Sequence, residues 1–193
     1  MAEFGTDGGA AQRERILAAA LEEAEAVGWH DLRLRHVAER LGLPLSAVQA
    51  EFRDADAIAN ALFQQALQAM LAAEAQPGFA ARPPSARTAA VLLRWFDALA
   101  PHRALAGKMI REKLWPSHPH HWVPMVFSLS RLIHWLREAA LLDAGGLRRQ
   151  AEEVGLTLVV LRSLPDGLSI RGADRGWLRI RLTRRLRWLD RLA

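Results

Sequence analysis

Val37-Ala38-Glu39-Arg40-Leu41-Gly42-Leu43-Pro44-Leu45-Ser46-Ala47-Val48-Gln49-Ala50-Glu51-Phe52, residues 37–52, decides the architecture of this chain. Leu34, Val37, Ala38 and Leu41 recur at three- and four-residue spacing, one apolar face of a short helix. Gly42-Leu43-Pro44 turns the chain, and Pro44 is tolerated because it precedes the next helix or occupies its first position. The next short helix, Leu45 to Glu51, is expected to point Leu45 and Val48 inward, with Phe52 closing the unit. Two short helices joined by a glycine-containing turn make a helix-turn-helix, whose second helix is shaped to enter a major groove.

Upstream, Ile16, Leu17, Ala20, Leu21, Ala24 and Val27 form the apolar face of a first helix, which Gly28 can end in the left-handed conformation. The whole spacing resembles the N-terminal domain of the tetracycline-repressor (TetR) family. Arg15, Ile16-Leu17, Ala19-Ala20, Gly28, Val37-Ala38, Gly42 and Phe52 carry that likeness. The resemblance implies an all-α homodimer, with a small head on DNA and a larger C-terminal domain that binds a ligand and sets the head spacing.

The groove-facing surface departs from the family pattern. Where members carry a small hydroxyl cap, a Tyr, a His and a Lys, this chain has Pro44, Gln49, Glu51 and Ala55. Residues 1–60 hold six arginines against eleven carboxylates, net −5. DNA affinity depends on neutralising phosphates, so an acidic head starts at a deficit. Arg33, Arg35, His36, Ser46, Gln49 and Arg53 are the candidate DNA contacts; the alternative is that they solvate an exposed face.

Composition favours helix throughout: hydrophobic residues make up 51% of 193 residues, and Ala, Leu and Arg dominate. The length suits one ordinary domain plus a head, and the expected division is an arm over residues 1–10, a head over 11–54 and a helical body over 55–193. The Gly-rich Met1–Ala10 is expected to be disordered. There is no Cys, no spanning apolar run and no secretory pattern, which suits a cytoplasmic protein. No phosphate loop, nucleophile elbow or paired acid/base group points to catalysis, and no cofactor is expected.

In the body, helices are expected over Ala86–Leu99 and His102–Trp115, and along Trp122, Met125, Val126, Leu129, Leu132, Ile133, Leu136 and Ala140 until Ala144-Gly145-Gly146. A last long one carries Leu147, Ala151, Val154, Leu158, Leu161 and Leu164, stopping at Pro165. The two long helices are the expected dimer pair, as the resembled family implies; the alternative is monomer core. Trp95, Phe96, Met109, Trp122, Met125 and Trp135 are candidates to line an apolar ligand site, or are core. His118, His120 and His121, with His102 and His134, lack a defined ligand geometry, so no metal site is assigned.

A looser likeness links Leu99-Ala100-Pro101-His102-Arg103, His134-Trp135 and Arg149–Leu164 to the ubiquinone-biosynthesis accessory proteins. It implies a lipid-binding alternative with a vestigial head. Residues 162–193 hold nine arginines against three aspartates. As a helix, Leu178, Leu182, Leu186, Leu189 and Leu192 share a face, though Arg181 and Arg185 intrude. Three fates stand for this tail: packing on the body, an anionic membrane through 173–193, or nucleic acid. The alternation over Leu178–Leu182 also admits a short strand.

Overall fold

The computed structural model describes residues 6–113, 122–169 and 174–192, and among these every regular element is helical. The chain divides into two compact units, Met1–Gln64 and Gln65–Ala193.

In the first unit α1 (Thr6–Val27), α2 (Leu34–Leu41), α3 (Leu45–Glu51) and the start of α4 (Ala55–Leu71) surround one core. Ile16, Ala20, Val37, Val48, Phe52 and Ile58 are fully buried there. α1 opens inside the segment expected to be disordered. Extending an established helix through Ala10 and Ala11 is far easier than nucleating one, so Thr6–Ala10 continue it. Two apolar residues expected inside are exposed. Val27 is the last residue of α1, beyond the contact line, and Gly28 turns the chain away at φ 100°. Leu45 opens α3, where Val48 and Phe52 already fill the core position, and it stands 53% exposed.

The second unit is organised around α5 (Pro84–Ala98), which packs on α7 (Trp122–Ala139) and most extensively on α9 (Arg175–Leu186). α6 (Arg103–Lys113) follows α5 through a 3-10 turn, and α8 (Gly146–Gly167) packs on both α7 and α9. Ser85, Thr88, Ala89, Val91, Leu92, Trp95 and Phe96 of α5 are all buried, more than one stripe would require, because α5 meets helices on several sides.

Long-range side chains close the helix ends. α5 has no cap of its own; Asp190 supplies one, accepting from the Ser85 amide at 2.8 Å and its hydroxyl at 2.6 Å. α7 ends at Ala139, earlier than the expected Ala144-Gly145-Gly146. Leu141 adopts φ 55°, and the Leu142 and Leu141 amides bond back to Arg137 and Glu138 carbonyls. A left-handed leucine costs about 1–2 kcal/mol. Arg87 offsets that cost by donating to the Ala140 and Leu141 carbonyls at 2.8 and 3.0 Å. Buried Arg137 fixes the following turn through the Leu142 and Ala144 carbonyls and the buried Glu152 carboxylate, the last at 3.3 Å.

α8 does not stop at Pro165. The proline forfeits its own bond to the preceding turn and crowds that turn's carbonyl, and two tertiary contacts hold the residues beyond it. Asp166 accepts from Arg181 at 3.2 Å and pairs with Arg185 at 2.6 Å, and Gly167 lies against the Phe96 ring.

The C-terminal tail is a helix, not a strand. Asp174 caps it by accepting from the Trp177 amide at 3.0 Å. Leu178, Leu182, Leu186 and Leu189 are buried within the second unit, where α9 meets α5 and α8. Arg181 and Arg185, which intrude on the apolar arc, are the two that reach Asp166. Outward it presents Arg179, Ile180, Arg184, Arg187 and Arg191. The apolar face that a membrane would need is thus occupied inside the chain.

A Cβ on Gly167 would collide with the Phe96 ring, which is buried beside Trp95 at 5.2 Å. Gly107 on α6 has only a 4.0 Å neighbour. Gly107→Ala should therefore stabilise by about 0.5–1 kcal/mol, as in any open helix position. Gly167→Ala should destabilise by about 1–3 kcal/mol through overpacking. Thermal unfolding of the two variants reads the opposite signs; a stabilised Gly167→Ala would contradict the packing described.

Candidate nucleic-acid interface

The geometry of the head begins at Gly42. Its φ of 63° is left-handed, the Leu43 amide bonds to the Ala38 carbonyl at 2.9 Å, and the Gly42 amide bonds to that of Glu39 at 3.1 Å. This pair of bonds ends α2 and turns the chain in two residues, a conformation that a side chain at position 42 would strain. Pro44, extended at φ −65°, then delivers the backbone into α3.

α3 is anchored at both ends of its inner face. Val48 and Phe52 are completely buried, and the Phe52 amide closes on the Val48 carbonyl at 2.8 Å. From α1, the Arg13 guanidinium lies 4.2 Å over the Phe52 ring and donates to the Glu51 carbonyl at 2.5 Å. A cation at a helix C-terminus is favourable there, and it leaves the Glu51 carboxylate 3.8 Å from the same guanidinium. The basic residue read in the sequence pattern ahead of Ile16 is Arg15; the clamp on α3 is Arg13, two residues earlier, which that pattern did not single out.

The six candidate contacts separate into two groups. Arg35, Ser46 and Gln49 are exposed, and Arg35 makes no ion pair among the described residues. Ser46 and Gln49 share the outer face of α3, and exposed Arg53 continues their line just past the helix end. Arg33 donates to the His30 and Leu32 carbonyls at 3.1 and 3.2 Å, bracing the turn before α2. His36 is half-buried, with Nδ1 3.5 Å from Glu23. Arg53 pairs with Asp54 at 2.8 Å, and that hydrogen bond pushes its pKa above the usual guanidinium value. A fourth pair, Arg40–Glu22 at 2.5 Å, ties α2 to α1. Three of the head's carboxylates, Glu22, Glu23 and Glu51, thus face partners that tie α2 and α3 to α1. Exposed Leu45 and Ala50 complete the outer face of α3, and neither was among the candidates.

The apolar ligand candidates fare unevenly. Trp95, Phe96 and Met109 are buried, the first two edge to face. Trp135 is 39% exposed, turned away from the buried α7 face of Ile133, Leu136 and Arg137, so it does not join Trp95, Phe96 and Met109 in the interior. The side chains of Trp122 and Met125 lie outside the described residues, as do His118, His120 and His121. Among the described residues no three metal-capable side chains cluster, and no helix is long and apolar enough to cross a membrane.

α8 presents a second surface. Leu147, Val154 and Leu158 are 83%, 63% and 64% exposed, and Ala151 and Pro165 are exposed with them. With half-buried Leu161 they follow alternating four- and three-residue spacing, the seam of a helix–helix contact. The unit's own core takes the opposite face, through Leu156, Val160, Ser163 and Gly167. The exposed stripe runs against the monomer-core alternative for α8, whereas Ile133, Leu136 and Ala140, read along the other helix of the expected pair, are buried within the unit.

No protein-family model and no curated protein matches the chain. Among solved structures, the TetR transcriptional regulator from Nitrosomonas europaea ATCC 19718 is similar at 30% identity and a TM-score of 0.78. That match covers 92% of this chain and 97% of the other. The likeness to ubiquinone accessory proteins gains no support from these comparisons.

Proposed function

This chain belongs to the TetR family of transcriptional regulators, and from that premise we propose that it binds operator DNA as a homodimer and releases it on binding a hydrophobic small molecule. The observation carrying the DNA reading is α3: its inner face is clamped by Val48, Phe52 and Arg13, and its outer face is free. A recognition helix must be held rigidly and present unspent side chains, and α3 meets both conditions. Two heads related by a two-fold axis would read half-sites about one helical turn apart.

The exposed Leu147–Leu158 stripe supports the dimer, since an apolar seam of this length in water is a liability unless a second copy covers it. The effector is the less constrained element. Buried Trp95, Phe96 and Met109 supply an apolar, polarisable environment of the kind such a molecule needs. Effector binding would shift the population between two head spacings, only one of which fits both half-sites. We place the protein in the cytoplasm and assign it no catalytic role.

Operator binding is tested by its salt dependence. Wild-type protein should bind duplex DNA with log K falling linearly as log salt rises. Arg35→Glu should weaken binding about tenfold or more and reduce the slope by about one, because one phosphate contact is lost. Absence of DNA binding at low salt would remove the reading.

A further inference from the structure

The outer face of α3 says which bases it reads, given the DNA-binding function proposed above. No Arg or Lys lies within α3, and its one charged residue, Glu51, is drawn to Arg13. The commonest guanine contact, a bidentate Arg or Lys on O6 and N7, is therefore absent from the helix itself. What the face offers instead is Leu45, Ser46, Gln49 and Ala50.

Leu45 is the informative residue. Among the described residues of the head, the other large apolar side chains are buried, as Ile16, Leu17, Leu21, Val37, Val48, Phe52 and Ile58 are, or half-buried, as Leu34, Leu41 and Leu43 are; besides Leu45 only Val27, the last residue of α1, stands exposed. Folding does not use Leu45, and water does not favour it. It occupies the first position of α3, the end of a recognition helix that penetrates the groove most deeply. An aliphatic side chain there matches one feature of the major groove, the C5 methyl of thymine. Gln49 lies one turn on, on the same face, and its amide matches adenine N6 and N7. Residues four apart on a helix stand about 6 Å apart, close to two base-pair steps of about 3.4 Å.

We infer that Leu45 and Gln49 together read an A·T-containing element in each half-site: a thymine methyl against Leu45, and an adenine against Gln49 within about two base pairs of it. Ser46 and Ala50 are permissive, and Arg35 and Arg53 supply phosphate contacts on either flank without sequence information.

Selection from a random duplex library with the full-length protein should return symmetric half-sites containing A·T pairs. Duplexes of the selected sequence are then made with deoxyuridine replacing thymine one position at a time, which deletes only the methyl. One or two positions should lose about fourfold in affinity with the wild type. The same positions should lose nothing with Leu45→Ala, a variant expected to fold normally because the residue is exposed. Gln49→Ala should relax discrimination at the neighbouring adenine by about 5- to 150-fold. Half-sites of G·C alone, or deoxyuridine effects that survive in Leu45→Ala, would overturn the inference while leaving DNA binding intact. Failure to enrich any sequence would overturn both.

Discussion

Removal of residues 174–193 is expected to unfold the C-terminal unit. On composition alone this arginine-rich tail looks like an accessory that could be trimmed. In the structure it supplies Leu178, Leu182, Leu186 and Leu189 to the core, the Asp190 cap on α5, and the Arg181 and Arg185 contacts that hold the end of α8. A buried leucine truncated to alanine costs about 2–5 kcal/mol. Four such losses together reach the whole stability of an ordinary domain, about 5–15 kcal/mol. The truncated chain should therefore lose cooperative thermal unfolding of the second unit, and Leu182→Ala alone should lower stability by about 2–5 kcal/mol. Reversing the outward charges, as in Arg184→Glu with Arg187→Glu, should leave the fold intact. That pair also tests membrane attachment cleanly, since liposome binding lost on truncation would only report unfolding. A well-folded truncated protein with an unchanged melting transition would refute the placement of α9.

Leu158→Glu is expected to give a folded monomer that no longer holds its operator. Leu158 is 64% exposed within the single chain, so the fold gains nothing from it. Helicity and the unfolding transition of isolated subunits should change little. At a two-fold interface the substitution occurs twice and places two carboxylates in the same apolar seam. An uncompensated charge in such a setting costs about 3–5 kcal/mol, so the dimer dissociation constant should rise about 100-fold or more. Operator affinity should fall by a comparable factor, because one head without its partner loses the effective concentration that linkage confers. Sedimentation and DNA binding measured on the same preparation decide it. A dimer that persists in Leu158→Glu would show that another surface joins the subunits. The buried neighbour Leu156 provides the contrast: its truncation should reduce stability.

Much of this was legible in the chain. Ile16, Ala20, Val37, Val48 and Phe52 fall where a three-helix head requires them, and Gly42 marks its turn. Gly42 could be read because glycine takes the left-handed conformation without help, whereas Leu141 takes it beside the Arg87 contacts. Helix ends were less readable. α7 stops at Ala139, with a left-handed leucine two residues on, and α8 runs through a proline; in each case arginines distant in sequence brace the end, Arg87 for one and Arg181 with Arg185 for the other. A local rule about termini holds only when the terminus is finished locally.

The amino-acid order alone determined which residues share a face, since 3.6 residues per turn makes that a property of each helix by itself. What each face meets was decided by the tertiary structure. Leu178, Leu182 and Leu186 of α9 and the Leu147, Val154 and Leu158 stripe of α8 both recur at helical spacing, yet the first are buried in the unit and the second stand exposed. Leu45 and Val48 lie three residues apart, only about 60° apart around one short helix, and packing buries one and leaves the other exposed. The physical reason is the same in all three cases. Burial is a competition among every segment that can reach a given face, and its outcome depends on residues far along the chain that no single helix's pattern contains.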